Sequence, residues 1–188
     1  MAYGFCPSAE ADSAQSVAVF LPQTFFRDDE FQTVTMALEK AGFNVVVTAA
    51  ETTVVKGIDG LLVRPQRLLR DISPQGFVGL VLINGPGAAV YWDDKELHKI
   101  CQEFVSAERV VAAIGTSPII LAKAGVLSGK KATAFPDRRT ITILKENGCQ
   151  YRFGPVVRDG NILTANRSEN CFAFVRALIK MLTARLPG

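Results

Sequence analysis

Residues 110–125, VVAAIGTSPIILAKAG, decide the fold. The stretch opens with β-branched and small apolar residues, passes through Gly115, Thr116 and Ser117, and resumes as a helix with Pro118 at its first position and Gly125 at its close. That pattern is a buried strand turning sharply into a helix. In many α/β enzymes such a corner lifts one side chain above the carboxyl end of the sheet, while the helix start offers free backbone N–H groups to an anion. Gly115 stands at the corner and has no side chain to present.

Strands and helices alternate on both sides of this stretch. Upstream, residues 17–21 and 43–49 read as buried parallel strands. Between them, Phe31, Val34, Leu38 and Ala41 repeat at helical spacing behind an acidic first turn, and Gly42 follows as the stop. Residues 53–55 and 61–63 have the pattern of a small hairpin, and residues 66–72 hold no long helix. Residues 78–83 form another strand, which runs into the loop Asn84-Gly85-Pro86-Gly87. A full dinucleotide fingerprint would need a third glycine at Val90, so the loop carries little weight as a nucleotide site.

Asp93 and Glu96 have capping-box spacing ahead of a helix burying Leu97, Ile100, Cys101, Phe104 and Val105. His98 reads as an exposed residue beside that stripe, and residues 90–92 (Val-Tyr-Trp) as an exposed apolar segment. Downstream come a strand over 131–135, a short helix capped by Asp137, and a hairpin turning at Asp159-Gly160. A final helix over 169–186 is expected to bury Phe172, Val175, Leu178, Ile179 and Leu182. The alternation predicts an α/β protein, its mostly parallel sheet covered on both faces and its site at the carboxyl ends of the strands.

The chain has 188 residues, 48% hydrophobic and 21% charged, the balance of one compact domain. Residues 1–15 read as an extension outside the core and 16–188 as the domain. A net charge of +3 with scattered basic residues is not the footprint of a nucleic-acid binder. The four cysteines, Cys6, Cys101, Cys149 and Cys171, lack metal-ligand spacing and there is one histidine, so neither a metal nor a cofactor is expected. Long cysteine gaps, no leader pattern and no membrane-spanning run set the expectation of a cytoplasmic protein without a membrane partner.

In order and spacing, several of these pieces resemble the DJ-1/PfpI (ThiJ/PfpI) family, within the class I glutamine-amidotransferase-like superfamily. They are Phe26-Arg27-Asp28-Asp29-Glu30, the Asn84-Gly85-Pro86-Gly87 loop, Val111-Ala112-Ala113-Ile114, residues 131–136 (KATAFP) and residues 155–164 (PVVRDGNILT). The resemblance implies a flavodoxin-like three-layer α/β/α sandwich with a small β-hairpin, and a homodimer or higher ring. In the family the strand matching Ala112-Ala113-Ile114 leads to a cysteine nucleophile, commonly as A-A-I-C-x-x-P; with Pro118 in register, Gly115 takes the cysteine position and Thr116 that of a frequent histidine. The family glutamate that tunes the thiol matches Glu30.

The expectation is therefore a family member that has lost the catalytic cysteine, non-catalytic and acting by oligomerising or by binding a small-molecule ligand at a degenerate pocket of Glu30, Gly115, Thr116 and Ser117. Gly85, Gly87 and Thr116 are the candidate ligand or oxyanion donors. The alternative is an intracellular hydrolase, whether protease or amidase, deglycase or glyoxalase-like, using Glu30 with Thr116, Ser117 or an activated water. Three further expectations concern the corner. Gly115 should have φ > 0. The hydroxyls of Thr116 and Ser117 should cap the helix start. A cysteine introduced at 115 should regain reactivity under Glu30 and the helix N-terminus.

Overall fold

Val110–Ile114 is buried at all five residues, as a strand must be when both faces of its sheet are covered. The computed structural model describes residues 15–186. Its strands are β1 (Ser16–Phe20), β2 (Thr24–Phe26), β3 (Asn44–Ala49), β4 (Val55–Gly57), β5 (Leu62–Val63), β6 (Arg67–Leu68), β7 (Gly79–Leu82), β8 (Val110–Ile114), β9 (Lys131–Ala132), β10 (Gln150–Tyr151), β11 (Val156–Asp159) and β12 (Ile162–Ala165). Its helices are α1 (Asp28–Lys40), α2 (Lys95–Ser106), α3 (Pro118–Lys123), α4 (Arg138–Glu146) and α5 (Cys171–Thr183).

Seven strands form the main sheet in the order β11-β12-β8-β7-β1-β3-β6, parallel except where β11 folds back on β12. Apolar side chains alternate between its two faces. Val17, Val19, Val45 and Val47 face a core closed by α1 and α5, whereas Ala18, Phe20, Leu80 and Leu82 face one closed by α2 and α3. This is the expected three-layer arrangement. The chain runs outward from β1 to β3 and then crosses back to β7, so strand order reverses between β1 and β7 and leaves a crevice at their carboxyl ends.

The hairpins at β4–β5 and β11–β12 form, the first with its leading arm two residues later than the expected 53–55. β4 also pairs with β2, and the buried Asp28 carboxylate fastens this small sheet by accepting from Asp59 N (3.0 Å) and Leu61 N (2.8 Å). Of the expected 1–15 extension, residues 1–14 and Cys6 lie outside the described residues; Gln15 already joins the fold, its carbonyl accepting from Asn44 N. None of the described helices is long and apolar enough to cross a membrane.

Other local expectations need correction. Asp94, not Asp93, caps α2 by accepting from Leu97 N (2.8 Å), while Asp93 pairs with Lys123 at 2.7 Å. His98 is buried, its Nε2 2.9 Å from the Trp92 carbonyl, because the turn before α2 folds over it. α5 buries Val175, Leu178 and Leu182 as expected and half-buries Ile179, but Phe172 is 76% exposed and Phe174 fills the core in its place. Tyr91 is buried edge-on against Phe20, leaving Val90 exposed. The strand expected over 131–135 is only Lys131–Ala132, paired with β10 outside the main sheet.

Candidate functional site: an amide-filled corner

β7 and β8 deliver Asn84 and Gly115 side by side to the crevice. Gly115 has φ +66°, the left-handed conformation that a Cβ disfavours, as expected for this corner. The neighbouring space decides more than the dihedral does. A Cβ built at 115 would fall inside the carboxamide of Asn84. The place above the corner is therefore taken by an amide.

Asn84 Oδ1 accepts from Thr116 N (3.1 Å) and from Thr116 Oγ1 (2.8 Å). Since the backbone N–H only donates, it fixes which end of the amide faces it. The other corner N–H groups are also engaged: Gly115 N donates to Ala165 O at 3.0 Å and Ser117 N to Ile114 O at 3.2 Å. Ser117 is buried and its Oγ donates to Ile83 O (3.1 Å). Neither hydroxyl caps α3 as expected, because the Asn84 amide and the Ile83 carbonyl claim them first. α3 itself is only six residues long.

Glu30 projects from the first turn of α1 beneath Asn84 and is fully buried. Its Oε1 accepts from Ser168 Oγ at 2.6 Å and its Oε2 from Asn84 N at 3.1 Å, with Arg27 Nε 3.8 Å away. Burial pushes its carboxyl up to about 7, against the opposing pull of the Ser168 and Asn84 hydrogen bonds. It is thus poised to titrate near neutrality, but both oxygens are covered by protein.

Gly85 and Gly87 serve the backbone. At Gly85 (φ +149°) a Cβ would meet the carbonyl of Phe25, itself at φ +55°; Gly87 passes beneath the carbonyl of Thr24. Gly85 borders a cavity, whereas Gly87 is buried against β2. The structure brings Glu30, Gly115 and Thr116 together around Asn84, places Ser117 behind them, and leaves Gly87 out.

Two cavities meet at the corner and share Arg27, Asn84 and Phe135. The first, about 280 Å³, is polar and bordered also by Gly115, Arg167 and Ser168. The second, about 370 Å³, continues over Ile58, Pro86, Ala89 and Trp92. Arg27 is held by a two-pronged contact with Asp29 (3.1 and 2.9 Å), which keeps the Asp29 carboxyl below the usual range. Arg167 lies over the Phe135 ring at 4.9 Å. The reading of the sequence passed over Asn84, Arg27, Phe135, Arg167 and Ser168 as site residues. A usable signal was present for three of them: Asn84 lies two residues past the end of β7, and Arg167 and Ser168 follow β12 within a polar run, at the strand ends where sites are expected.

A doubly wound sheet with its crevice at a strand-to-helix corner and a buried carboxyl beneath it defines a flavodoxin-like α/β protein. The chain belongs to the DJ-1/PfpI family, whose pattern matches residues 15–181. It is 32% identical over 171 residues to an uncharacterized protein of Methanocaldococcus jannaschii, covering 90% of this chain and 83% of that one. It is 27% identical over 164 residues to a deglycase of Pyrococcus horikoshii, covering 87% and 98%. Among solved structures, a ThiJ/PfpI domain protein from Brachyspira murdochii superposes with a TM-score of 0.86 at 22% identity, over 90% of this chain and 97% of that one. Drosophila melanogaster DJ-1beta does so with a TM-score of 0.78 at 24% identity, over 92% and 96%.

Proposed function

We propose that this family member has given up cysteine chemistry and acts as a non-catalytic, ligand-binding protein. The observation that carries the reading is the Asn84 carboxamide. On the family's pattern Gly115 stands at the cysteine position, and the amide fills the space above it while accepting the Thr116 N–H that an oxyanion would otherwise use. A corner with neither a nucleophile nor a free backbone N–H at residues 115–117 supports binding without turnover.

The alternative, a deglycase-like or other hydrolase, draws support from relatives bearing that name and from a Glu30 carboxyl near 7, suited to proton transfer at neutral pH. Against it, Glu30 is sealed by Ser168 and Asn84, and Thr116 and Ser117 donate to a carboxamide and a carbonyl with no base beside them. We favour the first reading. Deglycase, glyoxalase, esterase and peptidase assays, with the Pyrococcus furiosus deglycase as a positive control, are expected to give no turnover. Activity that survives repurification and disappears in Glu30→Ala or Thr116→Val would establish the alternative.

We further propose that the protein assembles as a homodimer or higher oligomer, with a ligand as its other partner and neither nucleic acid nor membrane. Exposed Met36 and Phe172, beside one another along a cavity on the outer face of α1, support assembly better than residues 90–92, of which only Val90 is strongly exposed.

A further inference from the structure

We propose that the paired cavities bind a small organic carboxylate with an apolar, preferably planar tail. The inference rests on the ligand-binding reading above and names the chemistry of the ligand. The polar half supplies donors. Arg27 has Nε and Nη2 committed to Asp29, which holds its guanidinium in place, and the pair is neutral as a unit. Glu169 also borders this half, so the cation that sets its preference must lack a carboxylate partner.

Arg167 is that cation. Among the described residues its guanidinium touches no carboxylate within ion-pair distance, and its contact is the face of Phe135. A guanidinium stacked on a ring keeps its in-plane N–H fork available for a carboxylate. The Asn84 amide adds a donor. With Oδ1 turned to Thr116, its Nδ2 lies over Gly115, which with Asn84 borders the polar cavity, and makes no hydrogen bond among the described residues. A carboxylate accepts from all these groups and needs to donate to none.

The apolar half determines the rest of the molecule. Beyond Asn84 the walls are Ile58, Pro86, Ala89, Trp92 and Phe135, with no charged side chain on that side except the shared Arg27. Arg139 lies over the Trp92 ring at 4.9 Å and steadies that wall. Phe135 stands at the junction, with Arg167 over its ring. A flat apolar tail fits this surface better than a hydrated sugar or a phosphate ester, whose several hydroxyls or second charge would meet mostly apolar walls there.

The test titrates phenylacetate into the full-length protein by calorimetry, with acetate and phenylacetamide as controls and ligand-observed NMR as a second readout. Saturable phenylacetate binding is expected, with acetate and phenylacetamide each at least about tenfold weaker, the amide having lost a charge-assisted hydrogen bond. Arg167→Gln, at an exposed position that leaves the fold intact, is expected to weaken phenylacetate about tenfold, and Arg167→Lys to restore part of the loss. No saturation up to about 10 mM, equal binding of the amide, or indifference to Arg167→Gln would overturn the proposal. Turnover alongside phenylacetate saturation would reject the non-catalytic reading and keep the ligand class; absence of both turnover and saturation would reject the ligand class alone.

Discussion

Gly115→Ala is the most informative single perturbation of the corner, since it asks whether the Asn84 amide excludes a side chain at 115. Two costs are expected. Holding alanine at φ +66° costs about 1–2 kcal/mol, from the clash of Cβ with its own backbone. The Cβ also displaces the Asn84 carboxamide and with it the two hydrogen bonds from Thr116, about 1 kcal/mol each. The total is about 3–4 kcal/mol, read as a lower urea midpoint at unchanged slope. Asn84→Ala alone forfeits the same two hydrogen bonds, about 2 kcal/mol. In the double variant that loss is counted once, so the singles should overshoot the double by about 2 kcal/mol. If Gly115→Ala unfolds at the parent's midpoint, or if the single effects add to within about 0.5 kcal/mol, the account of the corner is wrong.

The other predictions concern the titrating and sulfur-bearing groups. Gly115→Cys is expected to remain poorly reactive toward iodoacetamide and to gain reactivity once combined with Asn84→Ala; fast labelling of the single variant would contradict the crowding. Because Glu30 has a higher pKa folded than unfolded, the folded state holds the extra proton between about 4.5 and 7, and stability falls as pH rises through that window. The loss is up to about 3 kcal/mol; melting temperatures measured across the window should slope downward for the parent and flatten in Glu30→Gln. Ser168→Ala removes a hydrogen bond that lowers the Glu30 pKa, so the end of that slope should move to higher pH, and an unmoved end would count against the contact. Burial pushes Cys101 and Cys171 up to about 12 and Cys149 to about 11, so all three should label slowly in the native protein and rapidly in urea, as peptide mass spectrometry can assign. Light scattering at micromolar concentration should give at least twice the monomer mass of 20.4 kDa.

The layered fold was legible in the sequence because its signals are local. Runs such as residues 17–21 and 110–114 are too short and too apolar to be surface helices, and the glycines after α1 and α3 mark where those helices stop. Periodicity alone was not enough for α5, where Phe172 and Phe174 are equally apolar; only packing against α1 and β12 selects Phe174. β6 escaped because two residues make no pattern, and its place at the sheet edge is fixed by β3. His98 was misread for a related reason: the Trp92 carbonyl that receives it belongs to a turn whose path no helical wheel contains.

The candidate site was legible at the level of single residues and not of their contacts. Gly115 could be read as a corner without a side chain, and its positive φ followed from glycine's conformational freedom. That Asn84 fills the space above Gly115 depends on the register of β7 against β8, which places residues 31 positions apart in sequence over one another. The donors of Arg27, Arg167 and Ser168 likewise converge only when α1 and the end of β12 are set beside the corner.

The sheet's two margins have a consequence for how copies of this chain can meet. β6 offers two residues, and the neighbouring Val47 N–H is taken by the Gln66 side chain at 2.7 Å, an amide standing in for a missing strand residue. At the other margin β11 is flanked by the segment around β9, joined by Lys131 N to Asp159 Oδ2 (2.8 Å) and Thr133 Oγ1 to the Gly154 carbonyl (3.1 Å). Neither margin leaves a long ladder open for a second sheet to extend. The assembly proposed above would therefore be written in side chains on helices and loops, where single substitutions can retune or abolish it without disturbing the backbone hydrogen bonds that hold each copy together.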